Sequence, residues 1–247
     1  MLEEMEANVA APPSIRVSVL KGVRVVSRAT VPKTVNTPDN KCAFVIKCLP
    51  PPLNSEHHDH NQLRLVVAIT GASGVIYGIR TLEVLKQLDV ETHLIMSEWG
   101  AKNIIIETDK TLDYIQSLAT KCYEDENMAA PVSSGSFKTD GMAVIPCSMK
   151  TLASIANAFD DSLISRAASV SIKEHRKLVL VPRETPLSVI HLQNMSRLAN
   201  AGAIILPAMP GFYHKPKTLN DVVDHIVGKV LDQFDIDHGL FKRWGGG

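Results

Sequence analysis

Residues 66–78 read VVAITGASGVIYG. An apolar, β-branched run breaks into Gly71, Ala72, Ser73 and Gly74 and then resumes with helical spacing. Small residues at a strand-to-helix turn let a ligand approach the backbone. The first turn of the new helix adds amide N–H groups at the positive end of its dipole. That pattern suits a phosphate. A tight βα turn without a ligand has the same composition, and neither familiar phosphate fingerprint is present. GxGxxG needs a glycine at Ser73, and a Walker loop needs Gly-Lys-Ser/Thr after four spacers.

The same rhythm extends along the chain from Leu63. Apolar runs occur at LRLVVAIT (63–70), THLIMS (92–97), MAVIPCS (142–148), KLVLVP (177–182) and AIILPA (203–208). Between and after them, residues 75–88, 99–106, 149–158, 162–175, 188–200 and 218–234 carry helical spacing. Strands apolar on both faces and separated by helices predict a parallel sheet covered on both sides. The fold class is therefore α/β, a single Rossmann-like domain of three layers over residues 63–247. Right-handed crossovers place the strand exits along one edge, where ligands bind in open sheets.

The residues at those exits fit this expectation. GASG follows the first run, Ser97 the second, CSMKT (147–151) the third, PRETP (182–186) the fourth and PAMPGFYHKP (207–216) the fifth. Turn chemistry explains each alone. Together on one edge they favour a phosphorylated ligand with an uncharged ring, a nucleotide or a flavin. Arg183 and Glu184 follow an apolar strand directly, where a structural salt bridge is the plain alternative to a binding role. Arg166 and Lys173 lie two turns apart on one helix face, as a solvated basic stripe would also be. Glu107 ends the apolar stretch NIII and reads equally as a helix terminus. Tyr77 and Tyr213 sit in apolar surroundings, and Tyr77 reads as core.

Composition excludes other classes. Lys+Arg and Asp+Glu both number 26 in 247 residues, so no broad electrostatic grip on nucleic acid or anionic membrane is expected. No apolar run approaches the roughly 20 residues of a membrane span. The four cysteines (Cys42, Cys48, Cys122, Cys147) form no CxxC pair, which supports neither a zinc cage nor a disulfide framework. Residues 1–62 differ: prolines cluster at 12–13 and 50–52, no amphipathic period persists, and a disordered extension is expected. Between Asn8 and Asn36 there are basic residues (Arg16, Lys21, Arg24, Arg28, Lys33) and no acidic ones, as in an organelle transit peptide, although the chain opens with the acidic MLEEME. The expected location is thus mitochondrial or cytoplasmic. His57, His58 and His60 read as a solvated tail rather than a metal site.

Several segments together carry a resemblance: AITGASGVIYGIR (68–80), SSGSF (133–137), PCSMKTLASIA (146–156), LISRAASVSIKEHRKLVLVPRETPLSVIHLQNM (163–195), GAIILPAMPGFYHKP (202–216) and LFKRW (240–244). From about Leu65 to Trp244 the chain resembles the UbiX-type flavin prenyltransferases. The resemblance implies noncovalent FMN and no metal. It implies transfer of a dimethylallyl group from dimethylallyl monophosphate to N5 and C6 of reduced FMN, giving prenylated FMN for UbiD-type decarboxylases, including those of ubiquinone synthesis. It implies that Gly71, Ala72, Ser73, Ser97, the turn Ser148, Met149, Lys150 and Thr151, and Arg183 hold the flavin. Ser73 supplies a hydroxyl at the reacting centre and Glu107 handles protons there. Arg166, Lys173, Glu184, Tyr213 and Lys229 surround the substrate phosphate. It further implies sites completed between subunits, in trimers assembled into a dodecamer.

Two departures from the family pattern stand out. Lys229 occupies a place where many members carry arginine, and EDENMAAPVSSGS (124–136) lacks the aromatic residue that some place near the flavin. A rival is the FMN-dependent phosphopantothenoylcysteine decarboxylase family, which carries PxMNxxMW. Here the matching PAMPGFYH lacks the Asn and the Trp. A non-catalytic flavin-binding protein is the other alternative, against which Glu107, Lys173, Glu184 and Tyr213 argue together.

Overall fold

The computed structural model describes residues 62–245. The expected extension, its basic segment, the histidines at 57–60 and Cys42 and Cys48 lie outside them. The strands are β1 (Arg64–Ile69), β2 (Glu91–Met96), β3 (Lys121–Glu124), β4 (Gly141–Cys147), β5 (Lys177–Pro182) and β6 (Ile204–Ile205). The helices are α1 (Val75–Gln87), α2 (Glu98–Glu107), α3 (Leu112–Ser117), α4 (Met149–Ala156), α5 (Leu163–Lys173), α6 (Val189–Asn200) and α7 (Leu219–Asp232). All strand pairs are parallel, in the order β3-β2-β1-β4-β5-β6.

Strand periodicity divides the core into two layers. From β1, Leu65, Val67 and Ile69 point to one side, where they meet α1 and α7. Val66 and Ala68 point to the other, against α4, α5 and α6. Val179 and Val181 divide from Leu178 and Leu180 in the same way along β5. Fully burying each such Val, Leu or Ile contributes about 1.5–3 kcal/mol, so the central strands are strongly specified. That is why β1, β4 and β5 match the apolar runs.

The outer elements depart from the sequence reading. β3 and α3 were not expected. KCYE of β3 is mostly exposed and pairs only with β2, so it has no apolar run to announce it. Conversely, the run at 203–208 yields a β6 of two residues, paired with Val179 and Leu180. Hydroxyl caps start the helices that leave the sheet. Ser97 caps α2 and Ser148 caps α4, each accepting an amide of its own first turn.

Candidate active site

β1 and β4 are neighbours, yet the chain leaves β1 toward one face and β4 toward the other. A crevice opens between their exits, the usual ligand position in such sheets. Thr70, fully buried, pins the two exits together. Its hydroxyl donates to the Pro146 carbonyl at 2.8 Å and accepts the Ser148 amide at 2.7 Å. Sequence reading missed Thr70, since one threonine at a strand end carries no local signal.

The GASG turn is held from several sides. A Cβ on Gly71 would lie 2.6 Å from the Cβ of Trp99, so α2 packs directly on this glycine. Gly74 caps α1 with φ 97°, a left-handed conformation that favours glycine. Asn103 Nδ2 donates to the Gly71 carbonyl at 3.1 Å, and Arg183 Nε donates to the Ser73 carbonyl at 3.1 Å. The amides of Gly74 and Val75 donate to Glu107 Oε2 at 2.8 and 3.2 Å. The first amides of α1 are therefore not free for a phosphate, contrary to the simplest reading of the turn. A carboxylate from the end of α2 takes that place, and Ser73 stays exposed beside it.

At the exit of β4 the arrangement differs. Ser148 Oγ accepts the Thr151 amide at 3.2 Å and donates to Thr151 Oγ1 at 3.1 Å. The Met149 and Lys150 amides have no acceptor among the described residues. Lys150 reaches only within 3.9 Å of Asp161, with its side chain largely in solvent. Cys147, beside this turn, is inert as a nucleophile: complete burial pushes its thiol up to about 12.

The remaining candidates separate into groups. Arg166, in the first turn of α5, donates Nε to the Ser133 carbonyl at 3.0 Å and pairs with Asp160 at 3.1 Å. Lys173 ends the same helix just before β5 begins, at the amino edge of the sheet, where it pairs with Glu174. Within one chain the fold does not bring Lys173 to the crevice. Arg183 and Glu184 form no ion pair among the described residues. Glu184 is exposed, and among the described residues its carboxylate accepts only the neighbouring Thr185 amide, at 3.1 Å.

Tyr213 and Lys229 do come together. With Ile205, Pro207, Met209 and His225 they line a cavity of about 420 Å³ on the carboxyl side of the sheet. Arg80 of α1 bonds Asp224 of α7 at 2.7 Å, which ties this cavity to the helix leaving the GASG turn. Ser97 spends a hydroxyl lone pair on capping α2 and Thr151 Oγ1 spends one on Ser148, so each hydroxyl keeps its donor. No set of three His, Cys, Asp or Glu side chains is placed to hold a metal among the described residues, and none of their helices is long and apolar enough to cross a membrane.

Residues 53–231 match the flavoprotein family model. The chain is 56% identical over 183 residues to the mitochondrial flavin prenyltransferase PAD1 of Saccharomyces cerevisiae, covering 74% of this chain and 76% of that protein. It is 53% identical to AnUbiX (PadA1), solved in complex with FMN and dimethylallyl pyrophosphate, with a TM-score of 0.74 over 75% of this chain and 99% of that one. A dodecameric FMN-dependent UbiX-like decarboxylase from Escherichia coli O157:H7 is 49% identical, with a TM-score of 0.73 over 75% and 100% of the two chains. The chain belongs to the UbiX-type flavin prenyltransferases of the flavoprotein family.

Proposed function

We infer that this protein joins the dimethylallyl group of dimethylallyl monophosphate to reduced FMN, making prenylated FMN for a UbiD-type decarboxylase. The observation that carries this reading is a division of labour along one sheet edge. A clamped GASG turn faces a hydroxyl-rich helix start across the crevice, and a cationic, tyrosine-lined cavity lies on the same edge.

These residues fit FMN. The hydroxyls of Ser148 and Thr151 and the amides of Met149 and Lys150 suit its single phosphate. Ala72, Ser73 and Ser97, with Gly71 packed against Trp99, leave room for a planar ring, with Arg183 at its rim. When bound, reduced FMN supplies the electron-rich ring that accepts the prenyl group. Glu107 keeps Oε2 fixed on two amides, while Oε1 has no partner among the described residues and is available to take a proton. Lys229, Tyr213 and Arg166 are assigned to the departing phosphate, whose charge grows as the allylic C–O bond breaks. Apolar walls at Ile205, Pro207 and Met209 limit the access of water to the allylic carbon.

Lys173 belongs to the same phosphate group only if another copy supplies it, since its own chain holds it at the opposite edge. Exposed Trp99, Ile105 and Ile106 on α2, and Val189, Ile190 and Leu192 on α6, support burial between copies. A homo-oligomer follows, and the dodecamer of the Escherichia coli relative, built here from trimers, is the assembly we assign. The basic segment 16–33 supports delivery to the mitochondrion, the compartment in the yeast relative's name.

The test is direct. Protein, reduced FMN and dimethylallyl monophosphate are incubated without oxygen, and the flavin is extracted and weighed by mass spectrometry. A flavin heavier by one dimethylallyl group is expected. A flavin of unchanged mass overturns the reading.

A further inference from the structure

His225 has no assigned role, yet it is the point through which α7 meets the segment that carries Tyr213. It is buried and lies one helical turn before Lys229 on the same face of α7. Its Nδ1 accepts the Gly211 amide at 3.4 Å. Its ring stacks on His214, with centroids 5.0 Å apart and planes 1° apart, and meets Tyr213 edge-on at 5.7 Å. A Cβ on Gly211 would approach the Tyr213 ring at 3.2 Å and His225 at 3.4 Å, so that glycine lets the segment fold back over the imidazole.

Other contacts on these aromatic residues come from the end of the chain. Phe241 lies 5.0 Å from His225, and Trp244 meets Tyr213 edge-on at 5.8 Å. His225 Nε2 and both His214 ring nitrogens are buried without a partner among the described residues. The stacked pair is therefore held by packing and by the single bond to Gly211. For Nδ1 to accept, the ring must be neutral. Burial, with His214 and Lys229 nearby, holds it below the usual histidine range.

We propose that His225 is a positioning residue: through its bond to Gly211 and its stack on His214 it holds Tyr213 at the phosphate end of the substrate cavity. This rests on the assignment of Tyr213 to the substrate phosphate. Tyr213 is itself partly exposed, and a hydroxyl on a mobile loop would contribute little to binding. His225 makes that segment part of α7. The same helix carries Lys229, so both phosphate contacts share one rigid support.

The experiment is a double-mutant cycle on the assembled protein, read as KM for dimethylallyl monophosphate, kcat and FMN affinity. Tyr213→Phe removes the hydroxyl and tests the underlying assignment: unchanged KM defeats that assignment. Given an effect there, His225→Ala is expected to raise KM about tenfold with FMN affinity unchanged, the pattern of lost ground-state binding. In the Tyr213→Phe background it is expected to add little, since it acts through the same hydroxyl. His225→Asn, which returns an acceptor toward Gly211, is expected to recover part of the loss. His225→Phe keeps ring and volume, so it guards against simple unfolding, and it is expected to raise KM at an unchanged melting temperature. Wild-type KM in both His225→Ala and His225→Phe, or fully additive effects in the cycle, overturns the proposal.

Discussion

Glu107 Oε2 lies 2.8 Å from the Gly74 amide, so the last residue of α2 caps the first turn of α1. A carboxylate at a helix N-terminus is favoured by the dipole and by the amides it accepts. The bond also aims the side chain at the turn assigned to the flavin. Glu107→Gln keeps an acceptor for these amides but cannot take a proton. FMN affinity is expected to persist while product formation slows by about two orders of magnitude. Wild-type turnover removes Glu107 from the chemistry. Glu107→Ala leaves both amides without their carboxylate, and the loss of a cap is worth about 1 kcal/mol in thermal unfolding.

Thr70 bridges the exits of β1 and β4 from a fully buried position. Thr70→Val keeps the shape and leaves the Ser148 amide without its partner, while the Pro146 carbonyl retains the Thr70 amide at 3.3 Å. A buried group left unsatisfied costs about 1–3 kcal/mol. A lower melting temperature is expected, together with weaker FMN binding, because Ser148 caps α4. Calorimetry and FMN titration measure the two effects. A stable variant that binds FMN normally shows the bridge to be dispensable.

Lys173 and Glu107 lie at opposite edges of the same sheet, which makes their cooperation a question of assembly. Lys173→Ala and Glu107→Gln are each expected to be nearly inactive alone. Random co-assembly in equal amounts should restore about one quarter of wild-type activity if each site draws the two residues from different copies. No recovery in mixed assemblies of verified composition places Lys173 outside the active site.

Asp232 gathers Arg243 at 2.7 Å, His238 at 3.2 Å and Lys229 at 3.5 Å, fastening the end of the chain to α7. Burial alone would raise its carboxyl, but the bonds from Arg243 and His238 outweigh that and hold it below the ordinary 3.8. A lowered carboxyl contributes stability that is complete above the unfolded value and lost as pH falls through the folded one. Asp232→Asn is therefore expected to melt a few degrees below the wild type at pH 7. The gap should close below about pH 4. A gap that persists in acid assigns the effect to packing instead.

The chain's own residues were sufficient for the central architecture, for a physical reason. β1, β4 and β5 are buried on both faces, so they appear as continuous apolar runs, and the helices between them keep their period. The strand exits were legible because small residues and hydroxyls at turns have local causes. Glu107 read from its neighbours as a helix end and took a site role only through the family resemblance, Thr70 was not visible at all, and β3 had no apolar run to mark it. Each depends on a partner far along the chain: Gly74 for Glu107, Pro146 and Ser148 for Thr70, and β2 for an edge strand that faces solvent. The two-turn spacing of Arg166 and Lys173 suggested a shared face. The fold placed them at opposite ends of α5, because that helix returns from one sheet edge to the other. Local periodicity and turn chemistry are written in neighbouring residues, whereas which distant groups meet is decided only when the sheet closes its order and the helices dock.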